Sequence, residues 1–126
     1  MRVVRLGSPR APGEGVRIGT VRRPPRGVPK AEHASRDFYD VWLSDMAPSE
    51  RLLRQGFRVT DDRAWTAFTR RYRSEMKRPE AARLLTLLAA LSRQTNLSVG
   101  CYCEDESRCH RSVLRALLKE HGAHLI

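Results

Sequence analysis

Apolar and polar positions change period several times along the chain, and each change marks an element. Residues 3–6 (V-V-R-L) are a short β-branched run that predicts a strand, ended by Gly7, Ser8 and Pro9. Pro12, Gly13 and Gly15 make residues 7–15 a loop. Residues 16–21 (V-R-I-G-T-V) alternate and predict a second strand. The next stretch, R-R-P-P-R-G-V-P-K, holds three prolines and a glycine, so 22–36 reads as a stiffened loop. From Phe38 to Met46 the period turns helical. Phe38, Val41, Trp42 and Asp45 fall on one face, and Trp42 reads as a core anchor.

Pro48 and Glu50 suit the start of a short helix that closes near Gly56. Asp61 or Asp62 can cap the next helix, where Trp65, Phe68, Tyr72 and Met76 recur at spacings of three and four. Trp65 reads as its core anchor. Pro79 opens another helix with Leu84, Leu85, Leu87, Leu88 and Leu91 as a broad buried face, ended by residues 94–96. Leu97–Cys103 predicts a strand. Ser107–His121 predicts a final helix, with Val113, Leu114, Leu117 and Leu118 inward and Gly122 just past its end. Ala123–Ile126 reads as a last short strand. Strands that alternate with helices predict an α/β domain with a small, mainly parallel sheet of about four short strands covered by helices. At 126 residues, a single domain over 1–126 is expected.

Charge adds a second layer. The net charge is +10, and residues 1–30 hold Arg2, Arg5, Arg10, Arg17, Arg22, Arg23, Arg26 and Lys30 against Glu14 alone, which is eight minus one, or +7. Such a field attracts phosphates, nucleic acid or other anions, and it also serves solubility alone. The longest apolar run, near Leu84–Leu91, is interrupted and too short to span a bilayer. Met1–Arg5 leads into no apolar core of a secretory leader. The expectation is a cytoplasmic protein with no membrane partner.

Cys101, Cys103 and Cys109 lie within nine residues. An odd, clustered set is a poor disulfide framework and reads better as a thiol or metal site. A strand feeding a polar turn and then a helix places this cluster where α/β sheets bind ligands, beyond the carboxyl ends of the strands. Free N–H groups at the helix start favour an anion and stabilise a thiolate. Cys109 is the candidate catalytic thiol and His110 the candidate proton-transfer group. Arg111 is the candidate anion ligand with Arg108 beside it, and Arg22, Arg23 and Arg26 would join if both strands run parallel and their loops leave one edge.

Alternatives stay open. Cys101, Cys103, Cys109 and His110 supply four potential metal ligands, although the adjacency of Cys109 and His110 strains a shared tetrahedron. His33, His121 or His124 could substitute. Cys103 and Cys109 could carry redox or peroxide chemistry. The cysteines could instead be buried strand residues beside a plain helix cap. A non-catalytic nucleic-acid-binding module using the amino-terminal arginines is a further alternative, although the scarcity of aromatic residues for stacking weakens a single-strand-binding form of it. The spacing from Cys103 to Arg111 is two residues too long for the loop of cysteine phosphatases. No cofactor, catalysed reaction or oligomeric state is specified.

Several segments resemble domain-of-unknown-function family 488, the YeaO-like proteins. These are R-I-G-T-V-R-R-P-P-R-G-V-P-K (17–30), D-V-W-L-S-D-M-A-P-S (40–49), W-T-A-F-T-R-R-Y-R-S-E-M (65–76) and C-Y-C-E-D-E-S-R-C-H-R-S-V-L (101–114). Gapless matching puts Cys101 on the family's first cysteine, and Cys109, His110 and Arg111 on its C-H-R motif. Two positions depart: Pro24 stands where a tryptophan is usual before P-R-G, and Cys103 where a glutamate is common. The resemblance implies an α/β fold and supplies no established reaction, cofactor or substrate.

Overall fold

The computed structural model describes residues 1–56 and 61–126. Among these, four strands are formed: β1 (Arg2–Arg5), β2 (Val16–Gly19), β3 (Val41–Trp42) and β4 (Leu97–Cys101). Four helices accompany them: α1 (Glu50–Gly56), α2 (Asp62–Glu75), α3 (Pro79–Ser92) and α4 (His110–Glu120). The sheet has the order β1-β4-β2-β3, and every neighbouring pair is parallel. The molecule is thus the small parallel α/β fold that the alternation of strand and helix patterns predicts.

β4 is central. All five of its residues are buried, as expected of a strand covered on both faces. On one face Ile18, Leu97 and Val99 meet Tyr72, Leu85, Leu88, Leu114 and Leu118 from the helices. On the other face Arg17 and Ser98, paired across β2 and β4, meet Glu14 under the loop that joins β1 to β2. Arg17 Nε lies 2.7 Å from Glu14 Oε2 and its Nη2 2.9 Å from Oε1. Ser98 Oγ donates to the same carboxylate at 2.6 Å. A charged pair is thus buried on the second face, beside a smaller apolar cluster in which Tyr39 lies against Gly19 and Leu6 against Gly100.

Helix ends follow local chemistry. The Asp61 carboxylate accepts the Ala64 N–H at 2.7 Å, a cap for α2. Pro79 begins α3, where its missing N–H costs nothing. Gly122, at φ 90°, leaves α4 through a left-handed residue that glycine adopts without a Cβ penalty.

Four expectations are corrected. Residues 38–46 are not a helix: Val41–Trp42 pairs with Ile18 and Gly19 as an edge strand, and a 3-10 turn follows at Ser44–Met46. The open edge of β2 offers backbone partners that outweigh the helical period, and the Asp40 carboxylate takes the Arg17 N–H at 2.8 Å. Trp42 accordingly is no core anchor. It is 46% exposed and donates its indole N–H to the Val21 carbonyl at 2.7 Å. Leu87 and Leu91 are exposed, because α3 buries only the stripe through Leu85, Leu88 and Ala89. Ala123–Ile126 is not a strand; the tail is pinned to the amino terminus by Met1 N to His124 O and Ile126 N to Met1 O.

No helix among the described residues is long and apolar enough to cross a membrane.

Candidate functional site

β4 ends at Cys101, two residues earlier than its apolar run suggests, and this early ending shapes the site. Cys101 points into the core. Tyr102 and Cys103 swing out, and a 3-10 turn at Glu106–Arg108 leads to Cys109, the cap residue of α4. The Cys109 sulfur accepts the Arg111 N–H at 3.5 Å. Cysteine therefore occupies the position where a serine or aspartate would ordinarily cap the helix.

The three sulfurs lie within 4.8 Å of one another, and Cys101 Sγ is 3.8 Å from Cys103 Sγ. Their environments differ. Cys101 and Cys109 are buried, whereas Cys103 is exposed. Hydrogen bonds from the Cys101 and Cys109 thiols, together with the nearby Arg111 charge, hold the Cys103 thiol well below its usual range. Sharing a proton with Cys103, and burial, push Cys101 the other way. Cys109 is also raised. The thiol shifted down is thus the one exposed to solvent.

Arg111 is 3% exposed. Its Nη2 donates to the Cys103 carbonyl at 2.6 Å, while its Nε has no hydrogen-bond partner. His110 is buried as well. A carbonyl can only accept, so His110 Nε2, 2.7 Å from Thr20 O, carries the ring proton. That tautomer leaves the Nδ1 lone pair facing Cys109 Sγ at 4.0 Å. Burial lowers the imidazole to about 4 and keeps it neutral near pH 7. The Tyr72 ring packs edge-on against it at 5.6 Å.

β2 and β4 run parallel, so the loops that follow them leave the same edge. The Tyr102 hydroxyl joins the loops by donating to the Arg23 carbonyl at 2.9 Å. Their guanidinium groups do not gather at the cysteines. Arg22 donates to the carbonyls of Pro48 and Ala47, Arg23 pairs with Glu50 at 2.7 Å, and Arg26 is exposed. Arg108 pairs with Asp62 and lies over the Trp65 ring at 5.8 Å. Much of the amino-terminal charge is similarly engaged: Arg5 with Glu104, Arg10 with Asp40 and Asp37, Arg17 with Glu14. The acidic residues of the turn are committed too, Glu106 to Arg115 and Asp105 to Ser107.

For a metal, the three thiolates could share one soft cation, since a tetrahedral zinc site with Zn–S near 2.3 Å has sulfur edges of about 3.8 Å. His110 stands beside that set, with Nε2 on Thr20 and Nδ1 toward Cys109. His33 bonds Val28 O and His121 bonds Thr86, away from the cysteines.

Sequence reasoning missed Thr20, Tyr72 and Tyr102, whose roles at the site come through backbone carbonyls and ring packing. Only the stop of β4 at Cys101, which pairing decides, separates an exposed Cys103 from a buried Cys101.

Comparison with curated proteins and with solved structures gives no match. The family model DUF488-N3a, described as the active DUF488-N3 subclade, matches residues 1–122. With that match over nearly its whole length, the chain belongs to domain-of-unknown-function family 488.

Proposed function

We propose that the turn from Cys101 to Arg111 is a thiolate site that binds a small oxyanionic ligand and attacks or coordinates it through sulfur. One observation carries this reading: the exposed Cys103 sulfur belongs to a turn whose Cys103 carbonyl is held at 2.6 Å by Nη2 of the buried Arg111. A phosphate or carboxylate oxygen suits the planar donors of a guanidinium, and the Nη2 side of Arg111 faces the Cys103 turn. The start of α4 adds its N–H groups and dipole. In this reading Cys103 is the reacting sulfur and Arg111 the anion ligand. Cys109 and His110 are the proton relay behind them, through the open Nδ1. Arg22 and Arg23 position the neighbouring loop, and Arg26 is the loop cation left to meet a ligand. The description of the matched subclade as active accords with a working site.

The test is selective alkylation. Iodoacetamide at pH 6 should modify Cys103 ahead of Cys101 and Cys109, and inorganic phosphate should slow it in wild type but not in Arg111→Lys. An alkylation rate at Cys103 that only rises near the ordinary thiol pKa of about 8.5 refutes the thiolate. A stoichiometric soft metal on protein prepared without chelators would mean that the sulfurs serve a cation instead.

A further inference from the structure

We propose that Cys103 is a peroxide-oxidised modification site, and that Cys101 resolves it by closing a disulfide within the β4 turn. The inference rests on the preceding reading only in needing Cys103 as the accessible sulfur; the partner is chosen by geometry. Cys101 Sγ is already 3.8 Å from Cys103 Sγ. Closing to a bond of about 2.05 Å brings together a strand end and the turn after it, and neither cysteine lies in a helix. The turn cannot drift away meanwhile. Arg111 Nη2 holds the Cys103 carbonyl at 2.6 Å, the Tyr102 hydroxyl holds Arg23 O at 2.9 Å, and Arg5 Nε donates to Tyr102 O at 3.3 Å. Cys109, by contrast, is tied to α4 as its cap. Drawing its sulfur onto Cys103 would strip the Arg111 N–H of its acceptor.

The chemistry balances in two steps. The Cys103 thiolate attacks one oxygen of hydrogen peroxide, the O–O bond breaks, and the departing hydroxide takes a proton to become water, leaving a sulfenic acid. The Cys101 sulfur then attacks the Cys103 sulfur, the S–O bond breaks, and the Cys101 proton leaves with that hydroxide as a second water. Two thiols are oxidised and one peroxide is reduced. The product removes the only cysteine sulfur exposed to solvent among the three, so oxidation would silence the site reversibly, and a thiol reductant would restore it.

The sequence supplies a clean readout. Trypsin cuts after Arg93 and Arg108, which puts Cys101 and Cys103 in one peptide (94–108) and Cys109 in another (109–111). After brief treatment of the intact protein with hydrogen peroxide and blocking of free thiols, peptide 94–108 should appear two hydrogens lighter, unalkylated and uncrosslinked. Dithiothreitol should reverse this. In Cys101→Ser the same treatment should leave a sulfenic acid at Cys103, trapped by dimedone. A crosslink between 94–108 and 109–111, or direct accumulation of sulfinic acid at Cys103 in wild type, overturns the proposal. If peptide 94–108 stays reduced although iodoacetamide selects Cys103, the disulfide falls and the thiolate reading stands. If the disulfide forms although iodoacetamide shows no preference for Cys103 at pH 6, the disulfide stands and the thiolate reading falls. The wild-type peptide map decides the matter even if Cys101→Ser fails to fold.

Discussion

Replacing Glu14 with glutamine should destabilise the protein at neutral pH and flatten its acid sensitivity. Glu14 and Arg17 side chains are 2% and 0% exposed, and the carboxylate accepts from Arg17, Ser98 and the Ala11 N–H. Burial alone would raise the acid. The hydrogen bonds from Arg17, Ser98 and Ala11 outweigh it and hold Glu14 down to about 2, against an ordinary 4.5. That difference corresponds to about 3 kcal/mol of folding free energy. Because the folded state favours the ionised form, this contribution is complete above about pH 4.5 and is lost as pH falls toward 2. Glu14→Gln keeps the shape but leaves the Arg17 guanidinium buried without its counter-charge, a change that costs about 3–5 kcal/mol. Urea unfolding followed by circular dichroism at pH 7, 4 and 3 would measure both effects. The variant should have a lower midpoint at pH 7, and the gap to wild type should narrow as pH falls. The double variant Glu14→Leu/Arg17→Met should recover much of the loss, since apolar replacement of a whole buried pair is often neutral. Parallel loss of stability in wild type and Glu14→Gln between pH 4.5 and 3 would refute the linkage and reduce the pair to packing.

Tyr72→Phe should cost about 1–3 kcal/mol, because the buried Met46 carbonyl loses its 2.6 Å donor; thermal unfolding checks this. His110 should stay neutral, with the proton on Nε2, until pH falls to about 4, as read by ¹⁵N chemical shifts of the imidazole. Its folded value lies below its ordinary 6.5, so it contributes stability above pH 6.5 that is lost as pH falls toward 4. Gly15→Ala should be severely destabilising, because φ is +80° and the new Cβ would stand 2.0 Å from Asn96 O. Gly27→Ala, at φ +74° in open space, should cost only the backbone strain of about 1–2 kcal/mol. Comparable melting temperatures for the two glycine variants would refute the close approach.

The fold was legible where local pattern and tertiary context agree. Strands β1, β2 and β4, the Asp61 cap, the Pro79 helix start, and the amphipathic α2 and α4 follow from period and turn chemistry alone, because each is signalled by its own residues and those that flank it. Residues 38–46 were not legible. Their helical period is real, but the vacant edge of β2 captured Val41 and Trp42 as a strand, and a contact between segments that distant leaves no trace in local spacing. The candidate site divides in the same way. The sequence determined that Cys101, Cys103, Cys109, His110 and Arg111 would meet at a strand-to-helix turn, since chain proximity and a parallel sheet place them at one edge. Tertiary structure alone decided how they differ: that β4 stops at Cys101 and exposes Cys103, that Arg111 is buried with a donor to spare, that Thr20 sets the His110 tautomer, and that Arg22 and Arg23 turn to Ala47, Pro48 and Glu50. Spacing specifies which groups arrive at an edge. Burial and hydrogen-bond partners, which come from residues far along the chain, specify the charge each one holds there.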